Sequence, residues 1–228
     1  MPEISNALLD IREISTAYYS RSFGPFGKKE IKPVLNNFSL RLCDGEILGL
    51  TGESGCGKTT LARCILGLVD YTGEIFIDGQ KQKQKRHRPP SLMVQIVFQD
   101  PGTSLNPVKK IGVLVEEPLV IHGIGTPEER AQKVDKILMQ VGLDPSYKSR
   151  MVNELSGGQK QRVCIGRALI LEPKLLIADE AISSLDVSVG AQILNLFREL
   201  HENLGLGILF ISHNTGAVEY LCDRIVRL

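Results

Sequence analysis

The chain has 228 residues, of which 27 are Lys or Arg and 26 are Asp or Glu, so its formal net charge is +1. With 43% hydrophobic residues, this length is enough for one large globular domain or two small ones. The near-zero net charge excludes a general attraction to nucleic acid or anionic lipid. We therefore expect no nucleic-acid partner, and any polyanion must be bound locally.

The cysteines and the N-terminal residues indicate the cellular compartment of the protein. There is no CxxC pair, and the start MPEISNALLD lacks the basic and then apolar layout of a signal peptide. No apolar run reaches the roughly 18 residues that a membrane span requires. These features predict a cytosolic protein with free thiols that serves a membrane only as a peripheral subunit. The cysteines are Cys43, Cys56, Cys64, Cys164 and Cys222.

The N-terminal third contains short segments of alternating polarity, LLDIREIST, NNFSLRL and GEIFIDG, joined by turns. Such segments predict a small antiparallel β layer. Four apolar runs have the length and flanks of buried strands, and helical patterns lie between most of them. This alternation predicts an α/β fold with a parallel sheet. The four runs are EILGL (46–50), LMVQIVF (92–98), KLLIAD (174–179) and GILFIS (207–212).

A glycine-rich segment, GESGCGKTT, follows the first of these strands and precedes the helical pattern ARCILGL. It matches G-x-x-x-x-G-K-[ST], whose glycines let successive N–H groups surround a β-phosphate. The N-terminus of the predicted helix adds the positive end of its dipole. Lys58 provides a positive charge for the β- and γ-phosphates, and Thr59 provides a hydroxyl that can bind Mg²⁺. The whole segment is assigned to nucleotide binding: Gly52, Glu53, Ser54, Gly55, Cys56, Gly57, Lys58, Thr59 and Thr60. The Cys56 thiol is either a small filler or a thiol acidified by the helix dipole.

The basic run KQKQKRHRPP at residues 81–90 contains no aromatic residue, and we interpret it as a solvated loop between strands. No strand pattern occurs between Pro107 and Leu155. Instead, EEPLVIHGI, PEERAQKVDKILMQVG and the segment after Ser156 have helical spacing, with Gly142 placed to end the second helix. We expect residues 104–166 to form a helical subdomain, and residues 1–103 and 167–228 to form the α/β core with its antiparallel layer.

The segment LSGGQ predicts a second anion site. Ser156 is a good N-cap for the helical pattern that follows, and Gly157 and Gly158 leave the first N–H groups of that helix open to an anion. One chain does not need two such sites for one γ-phosphate. The simplest arrangement is a head-to-tail dimer in which each nucleotide lies between one chain's glycine-rich loop and the other chain's Ser156–Gln159 segment.

Acidic residues end a buried strand in KLLIADE. Asp179 is predicted to hold Mg²⁺ through water, and Glu180 is the candidate general base for an attacking water molecule. An ordinary acidic strand end is the alternative.

These motifs together resemble the ATP-binding subunits of ATP-binding cassette (ABC) transporters over nearly the whole chain. GESGCGKT resembles the Walker A motif, LSGGQ the signature motif and LLIADE the Walker B motif. The resemblance implies a P-loop NTPase (RecA-like) core and ATP and Mg²⁺ as cofactors. It also implies Gln99 as a glutamine that reaches Mg²⁺ and water, Asp186 as a residue at the dimer seam and His213 as a contact to the γ-phosphate.

The resemblance further implies that an aromatic residue stacks on adenine. Tyr18 is the candidate, with Tyr19 as its rival and an ordinary structural tyrosine as the alternative. Asn214 differs from the family, which usually has aspartate after the histidine. The chain ends at DRIVRL, before the strand and C-terminal extension usual in this group, so we expect a shortened sequence.

The segment FQDPGTSLNP is similar to the oligopeptide, dipeptide and nickel importer group. The resemblance implies a peripheral subunit at the cytoplasmic face of the membrane. Its expected partners are a second ATP-binding subunit, identical or a sibling, two transmembrane permease subunits and, indirectly, an extracytoplasmic substrate-binding protein. The alternatives are a soluble ABC ATPase of DNA repair or translation, and a degenerate cassette that only binds ATP.

Overall fold

The computed structural model describes residues 7–21, 29–82 and 92–228. The strands are β1 Ala7–Arg21, β2 Lys29–Cys43, β3 Ile47–Thr51, β4 Thr72–Ile77, β5 Gln80–Lys81, β6 Val94–Val97, β7 Leu175–Asp179, β8 Gly207–Ile211 and β9 Arg224–Arg227. The α-helices are α1 Lys58–Ile65, α2 Pro101–Ser104, α3 Ile111–Ile121, α4 Pro127–Gln140, α5 Gly157–Leu169, α6 Val187–Leu204 and α7 Thr215–Leu221. Short 3-10 helices span Pro145–Ser149 and Val152–Glu154.

The strands form two sheets. One is antiparallel in the order β2-β1-β4-β5, and the other is parallel in the order β6-β7-β8-β3-β9. The expected α/β fold with an antiparallel layer is therefore confirmed. Strands β7 and β8 are buried at every position, as expected for central strands of a parallel sheet that is covered on both faces.

Successive residues of the central strands enter different cores. Leu176 and Ala178 of β7 pack with helices α3 to α7, whereas Leu175 and Ile177 pack with α1 and the antiparallel sheet. This follows from the two-residue period of a strand, which sends neighbouring side chains to opposite faces. The parallel sheet is thus the middle layer; its strands β7 and β8 are buried on both faces, whereas the edge strand β9 is largely exposed.

The predicted helices between the strands are present. A capping box between Thr126 and Glu129 begins α4, and Gly142 follows its end with a φ of 71°, so the predicted stop is confirmed. Helix α3 begins at Ile111, five residues earlier than the segment EEPLVIHGI indicated. Ile111, Leu114 and Val115 are buried and extend the apolar face of this helix by more than one turn.

Residues 107–155, all of which the structure describes, contain no strand, as predicted, but Lys110 and Met151 form an isolated antiparallel bridge. Most of the basic run 81–90 lies outside the described residues, as do residues 1–6. All five cysteines are free, and burial raises the pKa of the Cys64, Cys164 and Cys222 thiols to about 12. Among the helices that the structure describes, none is both long and apolar enough to cross a bilayer.

Close packing at Gly49 of β3 gives a test of the fold. A Cβ atom there would lie 2.6 Å from Cγ1 of Val218 on α7. It would lie 3.0 Å from Sγ of Cys222, the residue that follows this helix. We expect Gly49→Ala to lower the free energy of unfolding by about 1–3 kcal/mol through overpacking. Urea denaturation measures this change in the free energy of unfolding. Gly190→Ala is the matched control, because the nearest atom to its added methyl, Ile182 Cβ, is at 3.9 Å. An equal loss in both variants would contradict this account of the α7 contact.

Candidate functional site

The order of the parallel sheet brings four loops to one edge. The carboxyl ends of parallel strands lie on the same side of a sheet, where α/β proteins bind their ligands. The loop 52–60 follows β3, Glu180 follows β7, and His213 follows β8, which lies between them. Gln99 follows β6, the neighbour of β7 on its other side. Residues far apart in sequence therefore surround one region.

The loop 52–60 needs glycine for both conformation and space. Gly57 has a φ of 114°, and its Cβ would lie 3.0 Å from side-chain atoms of both Val34 and Leu35. A Cβ on Gly52 would lie 2.8 Å from Cys56 Sγ. The thiol thus fills the inside of the turn, which favours the filler interpretation of Cys56. Strand β3 before the loop and α1 after it provide the context that the motif requires.

Lys58 closes this loop. Its side chain is 7% exposed, and Nζ donates hydrogen bonds of 2.9 Å to the carbonyl oxygens of Gly52 and Glu53. The backbone N–H groups of residues 57–60 donate to no acceptor among the described residues, and the first helical bond is Leu61 N–H to Gly57 O at 2.8 Å. A partly buried cation beside several free N–H groups is suited to an anion of high charge.

The buried carboxylate at the end of β7 is suited to a cation. Asp179 is 4% exposed, and its Oδ1 has no hydrogen-bond partner in the described part of the chain. Burial raises the pKa of Asp179 above its ordinary value, whereas a hydrogen bond with the Thr59 side chain acts in the opposite direction. An oxygen-rich pair of this kind fits Mg²⁺, which takes one or two carboxylates and a hydroxyl.

Glu180 lies next to His213. Its Oε2 is 2.7 Å from His213 Nδ1, and the Glu180 side chain is 15% exposed against 65% for His213. The backbone of Glu180 has a φ of 53° and its N–H donates to Ile211 O at 2.9 Å. Non-glycine residues in this conformation cost free energy and cluster at functional sites. The contact with Ile211 fixes Glu180 between β7 and β8.

Gln99 and Asp186 lie on exposed segments. The Gln99 carbonyl oxygen accepts a hydrogen bond of 3.2 Å from Ser184 Oγ, which joins the segment after β6 to the SSLD segment. Asp186 is the N-cap residue of α6, but its carboxylate makes no capping bond. Val187, which follows it, is 92% exposed.

Ser156 caps α5 as the sequence predicts. Its Oγ accepts from Gln159 N–H at 3.3 Å, and Gln159 Oε1 accepts from Ser156 N–H at 3.0 Å. The N–H groups of Gly157 and Gly158 donate to no described acceptor. A Cβ on Gly158 would lie 2.5 Å from Val189 Cγ1 of α6, so this glycine also permits close helix packing. Helix α5 packs on α2, α3, α4, α6 and β6, whereas α1 packs on β2 and β7.

Tyr18 lies on β1 beside α1. Its hydroxyl is 3.3 Å from Thr60 Oγ1, and its side chain is 40% exposed. The side chain of Tyr19 lies outside the described residues. Asn214 caps α7, because its Oδ1 accepts from Ala217 N–H at 3.0 Å. Asn and Asp are equivalent N-cap residues, so this departure from the family pattern leaves the helix start intact.

The structure adds two residues that the sequence analysis did not identify. Ser184 lies within the SSLD segment, two residues before Asp186, and the motif therefore marks its position. Tyr147 lies twelve residues before Gln159, and its hydroxyl accepts a hydrogen bond of 3.1 Å from Gln159 Nε2. It belongs to a 3-10 helix, which is too short for a periodic pattern, so only the tertiary structure shows this contact.

Comparisons with known proteins agree with this arrangement. The ABC transporter family model matches residues 35–183. A putative peptide import ATP-binding protein of Brucella ovis is 44% identical over 97% of this chain and 69% of its own length. The oligopeptide transport ATP-binding protein AppF of Bacillus subtilis is 43% identical over 96% of this chain and 68% of its own length.

A solved structure shows the same fold. It is a dimeric structure of a post-hydrolysis state of the ATP-binding cassette MJ0796 bound to ADP and Pi. The TM-score is 0.78 at 28% identity, with 96% of this chain and 94% of that chain covered. This chain therefore belongs to the ABC transporter family, of which it is an ATP-binding and ATP-hydrolysing member.

Proposed function

We propose that this chain is the ATPase subunit that powers an importer of peptides. The observation that carries the proposal is the grouping of a glycine-rich loop, a buried carboxylate and a carboxylate–histidine pair at one edge of the sheet. Peptides are favoured over nickel because the two relatives described above are named for peptide transport. The same names argue against a soluble ATPase of DNA repair or translation. Glu180 and His213 argue against a cassette that only binds ATP.

Phosphate binding follows from the free donors of the loop. The N–H groups of residues 57–60 and the Lys58 ammonium hold the β- and γ-phosphates, and the Tyr18 ring stacks on adenine. Thr59, Asp179 and Gln99 are the residues that would hold Mg²⁺. When bound, the ion neutralises charge that develops on the phosphate oxygens. The orphaned Asp179 Oδ1 supports this assignment, since a buried carboxylate is costly without a partner.

Glu180 is placed to accept a proton from the attacking water. His213 Nδ1 lies 2.7 Å from this carboxylate, and we assign its exposed ring to contact with the γ-phosphate. The backbone bond from Glu180 N–H to Ile211 O keeps the carboxylate at the sheet edge during the reaction. Proton transfer from water to Glu180 raises the nucleophilicity of the oxygen that attacks the γ-phosphate.

Dimer closure would complete the site. Helix α5 presents the free N–H groups of Gly157 and Gly158, and Ser156 and Gln159 frame them. In a head-to-tail pair, with an identical or sibling subunit, this helix end would face the γ-phosphate held by the other subunit's loop 52–60. Asp186 and the exposed Val187 would lie at the seam.

The surface for the membrane partners would include Gln99 and residues 104–120. This surface carries exposed apolar side chains, with Val108 78% and Val120 53% exposed. We assign residues 104–166 to a helical subdomain that passes motion from the nucleotide site to two permease subunits, and residues 1–103 and 167–228 to the core. The chain would act peripherally at the cytoplasmic face, and a substrate-binding protein would take part only indirectly.

The role of Lys58 is tested by Lys58→Ala. Loss of the ammonium removes charge-assisted hydrogen bonds to the phosphates, so we expect MgATP affinity to fall by about 100-fold. Titration with a fluorescent ATP analogue measures it. Lys174→Ala is the control, because Lys174 precedes β7 at the opposite edge of the sheet and pairs with Asp78. Unchanged affinity in Lys58→Ala would place the nucleotide elsewhere.

The role of Glu180 is tested by Glu180→Gln, which keeps the shape of the side chain and removes the base. We expect hydrolysis to fall by about 10²–10⁴-fold while ATP binding survives. With MgATP the variant should accumulate as a dimer retaining two nucleotides, and with MgADP it should stay largely monomeric. Size-exclusion chromatography with light scattering measures this. Glu199→Gln, on the exposed side of α6, should behave as the unsubstituted chain.

Two outcomes would count against this part of the proposal. Undiminished turnover in Glu180→Gln would remove Glu180 as the base and leave His213 as the next candidate. A variant that binds ATP but stays monomeric would contradict closure between two copies of this chain, and repeating the measurement with a sibling ATPase subunit would show whether that subunit is the required partner.

The partner surface is tested by Val108→Asp, which places a charge on an exposed apolar position outside the nucleotide site. We expect basal ATPase activity to be unchanged and pull-down of the permease subunits to be lost. Met139→Asp is the matched control, since Met139 is 58% exposed on α4, outside the proposed surface. Full transport and full substrate-stimulated ATPase activity in the Val108→Asp complex would point to another interface.

A further inference from the structure

Tyr147 connects the signature segment to the rest of the helical region. It lies in the 3-10 helix Pro145–Ser149, and its hydroxyl accepts a hydrogen bond of 3.1 Å from Gln159 Nε2. The Arg150 guanidinium lies over its ring, with Cζ 3.8 Å from the ring centroid. A guanidinium over an aromatic ring is attracted by the negative charge of the ring face. The tyrosine is thus held from one face while its hydroxyl contacts Gln159.

Two contacts hold the Gln159 amide. Nε2 donates to the Tyr147 hydroxyl at 3.1 Å, and Oε1 accepts from the Ser156 N–H at 3.0 Å. The same cap is completed by the bond from Gln159 N–H to Ser156 Oγ, at 3.3 Å. An amide with the opposite orientation would place its NH₂ group against the Ser156 N–H, where two donors would face each other. The Ser156 N–H therefore sets the orientation, and the Tyr147 hydroxyl, which accepts from the Nε2 group presented to it, restrains the amide in that orientation.

The segment that carries Tyr147 is itself fixed to neighbouring helices. Arg150 O accepts from Ile111 N–H at the start of α3, at 3.0 Å. Lys148 Nζ pairs with both carboxylate oxygens of Asp135 on α4, at 2.8 and 2.9 Å. A Cβ on Gly112 would lie 3.0 Å from Lys148 Cβ, so α3 approaches this segment closely. Tyr147 is therefore presented from a packed element, as accurate positioning of another group requires.

We propose that Tyr147 is a positioning residue for the signature segment. It holds the Gln159 amide so that Ser156 caps α5 and the N–H groups of Gly157 and Gly158 keep a fixed direction. This inference rests on the proposed function, in which those two N–H groups meet the γ-phosphate bound by a second subunit. Tyr147 acts through its hydrogen bond with Gln159.

The test is a double-mutant cycle of Tyr147→Phe and Gln159→Leu. The phenylalanine keeps the ring under Arg150 and removes only the hydroxyl. Loss of one neutral hydrogen bond predicts a kcat for ATP hydrolysis about fivefold lower, with the affinity of the isolated chain for a fluorescent ATP analogue unchanged. In the Gln159→Leu background, Tyr147→Phe should have no further effect, because the two residues act as one unit.

A matched control is available in Tyr71→Phe. The Tyr71 hydroxyl is likewise bonded to a glutamine, although as the donor, to Gln82 Oε1 at 3.0 Å, and it lies in the antiparallel part of the fold. The Tyr71→Phe variant should leave the kcat for ATP hydrolysis unchanged. Thermal unfolding of all variants separates loss of stability from loss of positioning, since only the latter lowers kcat at temperatures where every variant is folded.

The outcomes separate the inference from the proposed function. If Gln159→Leu lowers kcat and Tyr147→Phe does not, or if the two effects add, Tyr147 has no positioning role and the inference is overturned. If neither Gln159→Leu nor the bulky Ser156→Arg lowers kcat, the signature segment does not complete a nucleotide site and the proposed dimer itself is wrong. A fivefold loss that disappears in the Gln159→Leu background supports the inference.

Discussion

The order of five parallel strands is the constraint on which the site depends. Strand β8 lies between β3 and β7 in the sheet although it follows both in sequence. The loop 52–60, Glu180 and His213 therefore end up at one edge, because the carboxyl ends of parallel strands share a side. The burial of β7 and β8 on both faces makes this order rigid. A different strand order would leave the same motifs intact and the site unassembled.

Several polar groups at this edge are buried or unpaired within the described chain. Lys58 and Asp179 are 7% and 4% exposed, and Asp179 Oδ1 and the N–H groups of residues 57–60 have no described partner. Burying such groups lowers stability unless something satisfies them. In the proposed site, a triphosphate would accept from the free N–H groups, and a divalent cation would neutralise the buried carboxylate.

The free N–H groups of Gly157 and Gly158, at the start of α5, lie in a different part of the fold from those of residues 57–60. Helix α5 packs mainly on the helices that precede it and on α6, and its cap is stabilised by Ser156, Gln159 and Tyr147. Helix α1 packs on β2 and β7, whereas α5 packs on α2, α3, α4, α6 and β6, so the two helix N-termini have different neighbours. These different neighbours are consistent with the proposed arrangement, in which one helix end acts in cis and the other in trans.

The sequence by itself determined the fold class and most of the motif assignments, because these depend on local patterns. Apolar runs of strand length, the stop at Gly142 and the cap at Ser156 depend on neighbouring residues, and each is present in the structure. The early start of α3 was missed, since its first apolar residues are buried by other helices rather than marked by a local signal. The roles of the individual site residues stay predictions.

Only the tertiary structure decided which distant residues meet. The approach of His213 Nδ1 to Glu180 Oε2, the bond from Ser184 to Gln99 and the bond from Gln159 to Tyr147 each join separate elements. No periodicity or spacing specifies such contacts, because they arise from strand order and helix packing. The sequence therefore predicts which chemistry is present, and the packing of the sheet and helices decides where that chemistry is brought together.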